Sequence, residues 1–231
     1  EALKSGRAVE KVLISSSDGS ARQIIAMAKE KGIPIVKTER QALDRIGGGA
    51  SHQGVAAYVS AYAYAQMDDI LAKAQSAGEE PFVIILDGLE DPHNLGAIMR
   101  TAECAGAHGI IIPKRNSCGL TETVAKTSAG AIEYMPCVKV SNIVRTIDEL
   151  KTMGFWIAAC DMGGQEYYRT DLRGKLAVVI GGEGNGISRL VKEACDFTVS
   201  MPMKGKITSL NASNAAAVLM YEVRRQRDGE R

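Results

Sequence analysis

From residue 82 onward the chain alternates two kinds of segment, and that alternation constrains the fold more than any other feature. Apolar runs at 82–86, 109–112, 155–160, 176–180 and 197–201 read as strands, and segments near 94–106, 121–130, 142–153, 186–195 and 210–227 carry helical spacing. Strands that are apolar throughout, separated by helices, predict an α/β fold with a mainly parallel sheet covered on both faces. In such sheets ligands bind beyond the carboxyl ends of the strands, so the loops there are searched first. All the runs fall far short of the ~20 apolar residues that span a bilayer, and no membrane association is expected.

The first part of the chain reads as a separate, smaller α/β module. Strands are expected at 9–14, 33–36 and 55–59, with helices at 20–31 and 39–46. Residues 62–81 read as a polar connector, helical around 68–75 and ended by Gly78 and Pro81. The expected organisation is therefore a front domain over 1–66, a linker over 67–81 and a second domain over 82–231. Charge follows the same division: nine Lys/Arg against six acids in 1–66, then one Lys against four acids in 67–81. A mildly basic front module is compatible with nucleic-acid contact but does not demand it. Between its last helix and strand lies Gly47-Gly48-Gly49-Ala50-Ser51-His52-Gln53-Gly54, either a plain turn or a loop whose backbone closely approaches a phosphate or base.

Composition removes several classes of function. The chain is 45% hydrophobic and 24% charged, which is globular rather than disordered. Its five cysteines (Cys104, Cys118, Cys137, Cys160, Cys195) are odd in number and widely spaced, which argues against a disulfide framework or zinc ribbon and for a reducing, cytoplasmic setting. With only three histidines, no metal is expected. The start carries no secretory signal and no Met, so the numbered chain is expected to begin inside a longer one.

Three loops of the second module concentrate glycine and polar residues. The first runs from Asp87 through Asn94 to Glu103. Asn94 reads as a helix N-cap, followed by an apolar stripe of Leu95, Ile98, Ala102 and Ala105. Arg100 points away from that stripe, and reads either as an exposed ion pair with Glu103 or as a cation kept for a ligand. The second loop is Gly181-Gly182-Glu183-Gly184-Asn185-Gly186-Ile187-Ser188. From Gly182 it lacks the third glycine of the dinucleotide fingerprint, and it contains no P-loop. Glu183 would oppose a phosphate; it suits a ribose hydroxyl or a cationic ligand, or else it merely opens a helix. The third loop runs from Met201 through Ser209, Leu210 and Asn211 into Ala215-Ala216-Ala217, with more hydroxyl and amide groups than a cap requires. His93 and His108 read as capping or packing residues, and Trp156 as core.

Taken together, Asn94-x-Gly96-x3-Arg100-Thr101-Ala102, Gly181-x-Glu183-x2-Gly186-Ile187 and Pro202-Met203 followed by Ser209-Leu210-Asn211-x-Ser213 resemble the three ordered motifs of the SpoU class of RNA ribose 2′-O-methyltransferases. That class belongs to the SPOUT superfamily, whose methyl donor is S-adenosylmethionine. Ser51-His52-Gln53-Gly54 resembles the ribosomal-protein-L30e-like RNA-binding domain that precedes many of these catalytic domains. With Asp91-Pro92-His93-Asn94, it is most similar to the branch that methylates a guanosine of bacterial 23S ribosomal RNA. The resemblance implies a C-terminal trefoil knot, with the chain after Met201 tucked through the loop near Gly181, and a homodimer through the catalytic domains. It implies that Gly181, Gly182, Glu183, Gly184, Met201, Ser209 and Leu210 hold the cofactor. It makes Arg100, Asn94, Glu183, Ser209 and Asn211 the catalytic set, and His52, Gln53 and Arg100 the RNA contacts.

Other classes fit less well. A dinucleotide-dependent oxidoreductase would need the missing glycine pattern. A nonenzymatic RNA-binding protein would have no use for three polar loops on a second module. A tRNA is the alternative substrate to ribosomal RNA.

Overall fold

The structure is a computed structural model that describes residues 9–15, 19–48, 52–59, 62–184 and 186–229. Ser51 and Asn185, both read above as parts of motifs, lie outside the described residues, as do residues 1–8. Two compact units emerge, Glu1–Ala63 and Tyr64–Arg231.

In the first unit β1 (Val9–Ile14) is central, with β2 (Ile35–Lys37) parallel on one side and β3 (Val55–Val59) antiparallel on the other. Helices α1 (Ser20–Glu30) and α2 (Arg40–Gly47) complete it. Val12, Ile14 and Ala28 form its core, with Ile24, Ile25, Ile33, Ile35 and Val55 packed around them. β2 starts two residues later than the apolar pattern suggests. The Ile33 amide donates to the Ala28 carbonyl, so Ile33 closes α1 instead of joining the sheet.

The second unit is built on a six-stranded sheet in the order β6-β5-β4-β8-β7-β9, with every pairing parallel. Its strands are β4 (Phe82–Asp87), β5 (Gly109–Pro113), β6 (Cys137–Val140), β7 (Trp156–Glu166), β8 (Leu176–Gly181) and β9 (Phe197–Ser200). Its helices are α3 (Met67–Ala77), α4 (Pro92–Cys104), α5 (Glu122–Thr127), α6 (Ile143–Thr152), α7 (Arg189–Ala194) and α8 (Ala212–Asp228). The five expected strands are present. β6 escapes the sequence pattern because it is four residues long and interrupted by Lys139, whose ammonium sits 4.8 Å from the centre of the Tyr64 ring.

The segment read as a polar connector is a helix whose inner face is core. Gln66 and Asp69 form a capping box at the start of α3, and Gly78, at φ 65°, ends it in the left-handed conformation. Ile70 is fully buried with Val83, Ile85 and Ile111. A Cβ at Gly109 would collide with the Ile70 side chain, so the glycine admits α3 to the sheet.

Two further readings are corrected. Asn94 does not cap α4: Asp91 does, accepting from the His93 and Asn94 amides at 3.1 and 3.3 Å, with Pro92 in the first turn. Asn94 is instead a buried residue of that turn. Trp156 is not core. It is the first residue of β7 and 60% exposed, and the buried stretch beyond it is filled by Ile157, Ala158 and Ala159.

The carboxyl end of α8 ties back to the sheet. The Arg227 guanidinium donates to the carbonyls of Glu80, Pro81 and Gly174 and lies over the Phe82 ring. Beneath it His108 is buried, its Nδ1 accepting from the Phe82 amide at 2.9 Å. Burial, reinforced by Arg227, pushes the His108 pKa down to about 4. No helix among the described residues is long and apolar enough to cross a membrane.

Two outcomes follow from this packing. Ile70→Ala should lower the unfolding free energy by about 2–5 kcal/mol, the cost of emptying a buried aliphatic site. It would be read as a lower urea midpoint; a connector outside the core would leave the midpoint unchanged. His108 binds its proton more readily when unfolded than when folded, so its contribution is complete above the unfolded value of 6.5 and declines as pH falls toward 4. His108→Asn keeps an acceptor for the Phe82 amide but does not titrate. Its stability should therefore fall less between pH 6.5 and 4 than that of the wild type.

Candidate active site

Three loops leave the carboxyl ends of β4, β8 and β9, and one carboxylate joins them. The Asn94 Nδ2 donates to Glu183 Oε1 at 2.6 Å, and the Asn211 Nδ2 donates to the same oxygen at 2.9 Å. An ionised carboxylate only accepts, so both amides present their nitrogens to it. Asn211 is also the N-cap of α8, its Oδ1 accepting from the Ser213 amide and hydroxyl. Glu183 thus opens no helix, since α7 starts only at Arg189; it links the first turn of α4 to the start of α8.

The glycines shape this junction from within. Gly184 and Gly186 have φ of 86° and 62°, values that favour glycine. A Cβ at Gly181 would overlap the backbone of Gly186 and Ile187, and one at Gly182 the backbone of Gly88. Those two residues are small first because the loops of this chain touch there. Asp87 completes the junction: its carbonyl accepts from the Gly182 amide at 2.8 Å and its carboxylate from the Ser188 amide at 2.7 Å. Its place, directly after an apolar strand, was the sequence signal for this role.

Beside Glu183 lies a cleft of about 600 Å³. Gly181, Gly182, Glu183, Gly184, Met201, Ser209, Leu210 and Asn211 all line it, so the structure brings together eight of the residues singled out in the sequence. Residues 201–211 belong to no helix or strand, so their backbone polar groups are outside any regular ladder. Thr208 and Ala215 of the third loop line it as well, whereas sequence reasoning missed Cys160, Asp161 and Met162, which come from β7. Asp161 accepts from Lys192 Nζ at 2.6 Å. Burial, with Asp161 alongside, raises the Cys160 thiol to about 11, which keeps it protonated and unsuited to nucleophilic work.

Other candidates stand apart. Asn94 is buried behind Glu183 rather than in the cleft wall. Arg100 is exposed, lies outside the lining of this cleft, and has neither hydrogen bond nor ion pair among the described residues; the pair with Glu103 does not form. In the first unit, His52 Nε2 lies 2.8 Å from Asp44 and its Nδ1 accepts from the Gly54 amide, so the ring shapes its own loop. Gln53, exposed at φ 48°, is presented outward. Among the described residues no group of His, Cys, Asp and Glu could hold a metal ion.

The chain is similar to known proteins in sequence and in fold. Residues 81–221 match the SpoU rRNA methylase family, and residues 1–65 match a family described as RNA 2′-O ribose methyltransferase substrate binding. YacO of Bacillus subtilis, placed in the TrmH family of tRNA/rRNA methyltransferases, is 52% identical over 99% of this chain and 92% of its own length. A Staphylococcus epidermidis protein placed in the same family is 48% identical over 98% of this chain and 92% of its own. Among solved structures, the SpoU methyltransferase AviRb from Streptomyces viridochromogenes, in complex with the cofactor AdoMet, shares the fold. Its TM-score is 0.66 at 24% identity, over 99% of this chain and 87% of that one. The TrmH/SpoU tRNA modifying enzyme of A. aeolicus aligns with a TM-score of 0.59 at 25% identity, over 71% of this chain and 85% of its own. The chain belongs to the SpoU rRNA methylase family of methyltransferases.

Proposed function

We propose that the protein transfers a methyl group from S-adenosylmethionine to a ribose 2′-hydroxyl of RNA, with a guanosine of 23S ribosomal RNA as acceptor. The observation that carries this reading is the junction at Glu183, where all three polar loops meet beside one cleft. The cleft suits the donor chemically. Ile180, Met201, Leu210 and Ala215 offer apolar surface for an adenine, and Glu183 and Asp161 add carboxylates that suit a cationic ligand. When bound, that ligand supplies an already activated methyl group on a sulfonium, so the chain is left chiefly with positioning.

The acceptor hydroxyl is a poor nucleophile until its proton leaves or its oxyanion is stabilised. Asn94, buried and bonded to Glu183, acts on the ribose only through that carboxylate. Arg100 serves as the cation toward the phosphate and the developing oxyanion. A protonated guanidinium has no lone pair and is not the base. The first unit supplies RNA affinity, with Gln53 its outward contact. The working form is a cytoplasmic homodimer whose catalytic units meet along α8, where Val218 and Tyr221 are exposed on one face. A trefoil knot formed by the chain after Met201 completes the proposal.

Ala215→Leu should fill the cleft from a helix that tolerates leucine, weakening S-adenosylmethionine binding at least about tenfold with the thermal midpoint unchanged. Calorimetry checks this, and unaltered affinity in a folded variant would move the cofactor elsewhere. Methyl incorporation into purified 23S ribosomal RNA and tRNA, followed by mapping of the modified nucleotide, tests the acceptor. Label in tRNA alone would replace the ribosomal assignment, and label in neither would reject the activity. Arg100→Ala should slow single-turnover methylation about a hundredfold with cofactor affinity intact, as expected for a phosphate clamp. Arg100→Lys, which keeps charge but loses the planar fork, should recover a small part. Wild-type rates in the Ala variant would leave Arg100 an ordinary surface residue.

A further inference from the structure

A second cleft, of about 500 Å³, shares Gly182, Glu183 and Gly186 with the first but otherwise has its own walls. It opens at the carboxyl ends of β4, β5 and β6, marked by Asp87, Pro113 and Ser141. The sheet order reverses direction between β4 and β8: β5 and β6 extend to one side, β7 and β9 to the other. Such a reversal leaves a crevice that open α/β sheets use for ligands. Its size lies within the range of about 300–1,000 Å³ typical of small-ligand sites.

The lining has two unlike ends. On the loops after β5 and β6 stand Arg115, Asn116 and Ser141, all donors. Arg115 is exposed and has no hydrogen bond or ion pair among the described residues, and Asn116 is held at φ 53° beside it. On the loops after β4 and β8 stand the carboxylates of Glu90 and Glu183. Leu190, 58% exposed, adds an apolar surface above the buried Val191 and Ile143. A simple anion would meet the carboxylates and a simple cation would meet Arg115. A ligand that satisfies both ends carries an anionic group, hydroxyl donors and an apolar face in one molecule.

Resting on the function proposed above, we propose that this cleft is a subsite for one nucleotide of the RNA. Its phosphate lies toward Arg115 and Asn116, its ribose hydroxyls toward Glu90 and Glu183, and its base against Leu190. Unpaired nucleotides are what proteins read in RNA, because their faces and edges are free. Since Glu183 belongs to both walls, a nucleotide held here abuts the cofactor cleft without entering it.

The test is calorimetric titration of the full chain with guanosine 5′-monophosphate in saturating S-adenosylmethionine. The monophosphate should bind beside the cofactor, and guanosine, which lacks the phosphate, should bind about tenfold more weakly. Arg115→Ala should lower affinity for the monophosphate by about the same factor, and Arg115→Glu should abolish it, with S-adenosylmethionine affinity unchanged in both. Displacement of the monophosphate by S-adenosylmethionine, equal binding by the Arg115 variants, or no binding at millimolar concentration would overturn the subsite. Methyl transfer to RNA by the wild-type chain is read separately. Transfer without Arg115-dependent binding removes the subsite and keeps the function. Arg115-dependent binding without transfer does the reverse.

Discussion

One oxygen atom organises the second unit. Glu183 Oε1 accepts from an amide 89 residues before it and from another 28 residues after it. Hydrogen bonds to a charged group contribute about 1.5–3 kcal/mol each, more than a neutral pair at a surface. Loss of the carboxylate would leave the buried Asn94 amide without that acceptor and release the start of α8 from the loop after β8. Each loop leaves a different strand, and Asp87 adds a second link between those after β4 and β8 through the Gly182 and Ser188 amides. Their agreement on one atom turns three loops into a cleft with a defined wall, and preorganisation of that kind is what positioning chemistry requires.

The glycines make that agreement sterically available. Gly181 and Gly182 bring the loop after β8 against its own later turn and against the loop after β4, where side chains would collide with backbone. Gly96 does the same for α4 against Thr127 and Ser128 on the α5 side. In each case the small residue answers a contact within the protein. Glycine in a ligand-rich loop is easily credited to the ligand; here the chain itself accounts for the requirement, and ligand approach is at most an added reason.

What was legible in the sequence follows from what controls each feature. Buried parallel strands such as β4 and β8 must be apolar on both faces, so their runs stand out. β6 is short and carries Lys139 within it, and its membership in the sheet depends on pairing with β5, which no local pattern records. The α4 cap was misplaced because Asp91 and Asn94 both have capping side chains, and only the tertiary partner of Asn94 separates them. Trp156 was misread because it lies inside an apolar run yet turns its side chain to solvent, 60% exposed between the buried Phe155 and Ile157. The cleft residues with motif spacing were legible as a group, whereas Cys160, Asp161 and Met162 enter it from β7, which shows only an ordinary strand pattern.

The same geometry narrows the chemistry. Cys160 lies in the cleft but stays protonated near neutral pH, with a pKa of about 11, and burial holds Cys195 equally high. Covalent catalysis through either thiol is therefore disfavoured. Glu183 Oε1 is already occupied by two donors, so the carboxylate works first as a strut. The one exposed guanidinium on α4, Arg100, cannot accept a proton while charged. A site so equipped is poor at making a nucleophile by force and good at holding a reactive donor and an acceptor in line. A transfer in which the donor arrives already activated is the chemistry that asks for no more than this.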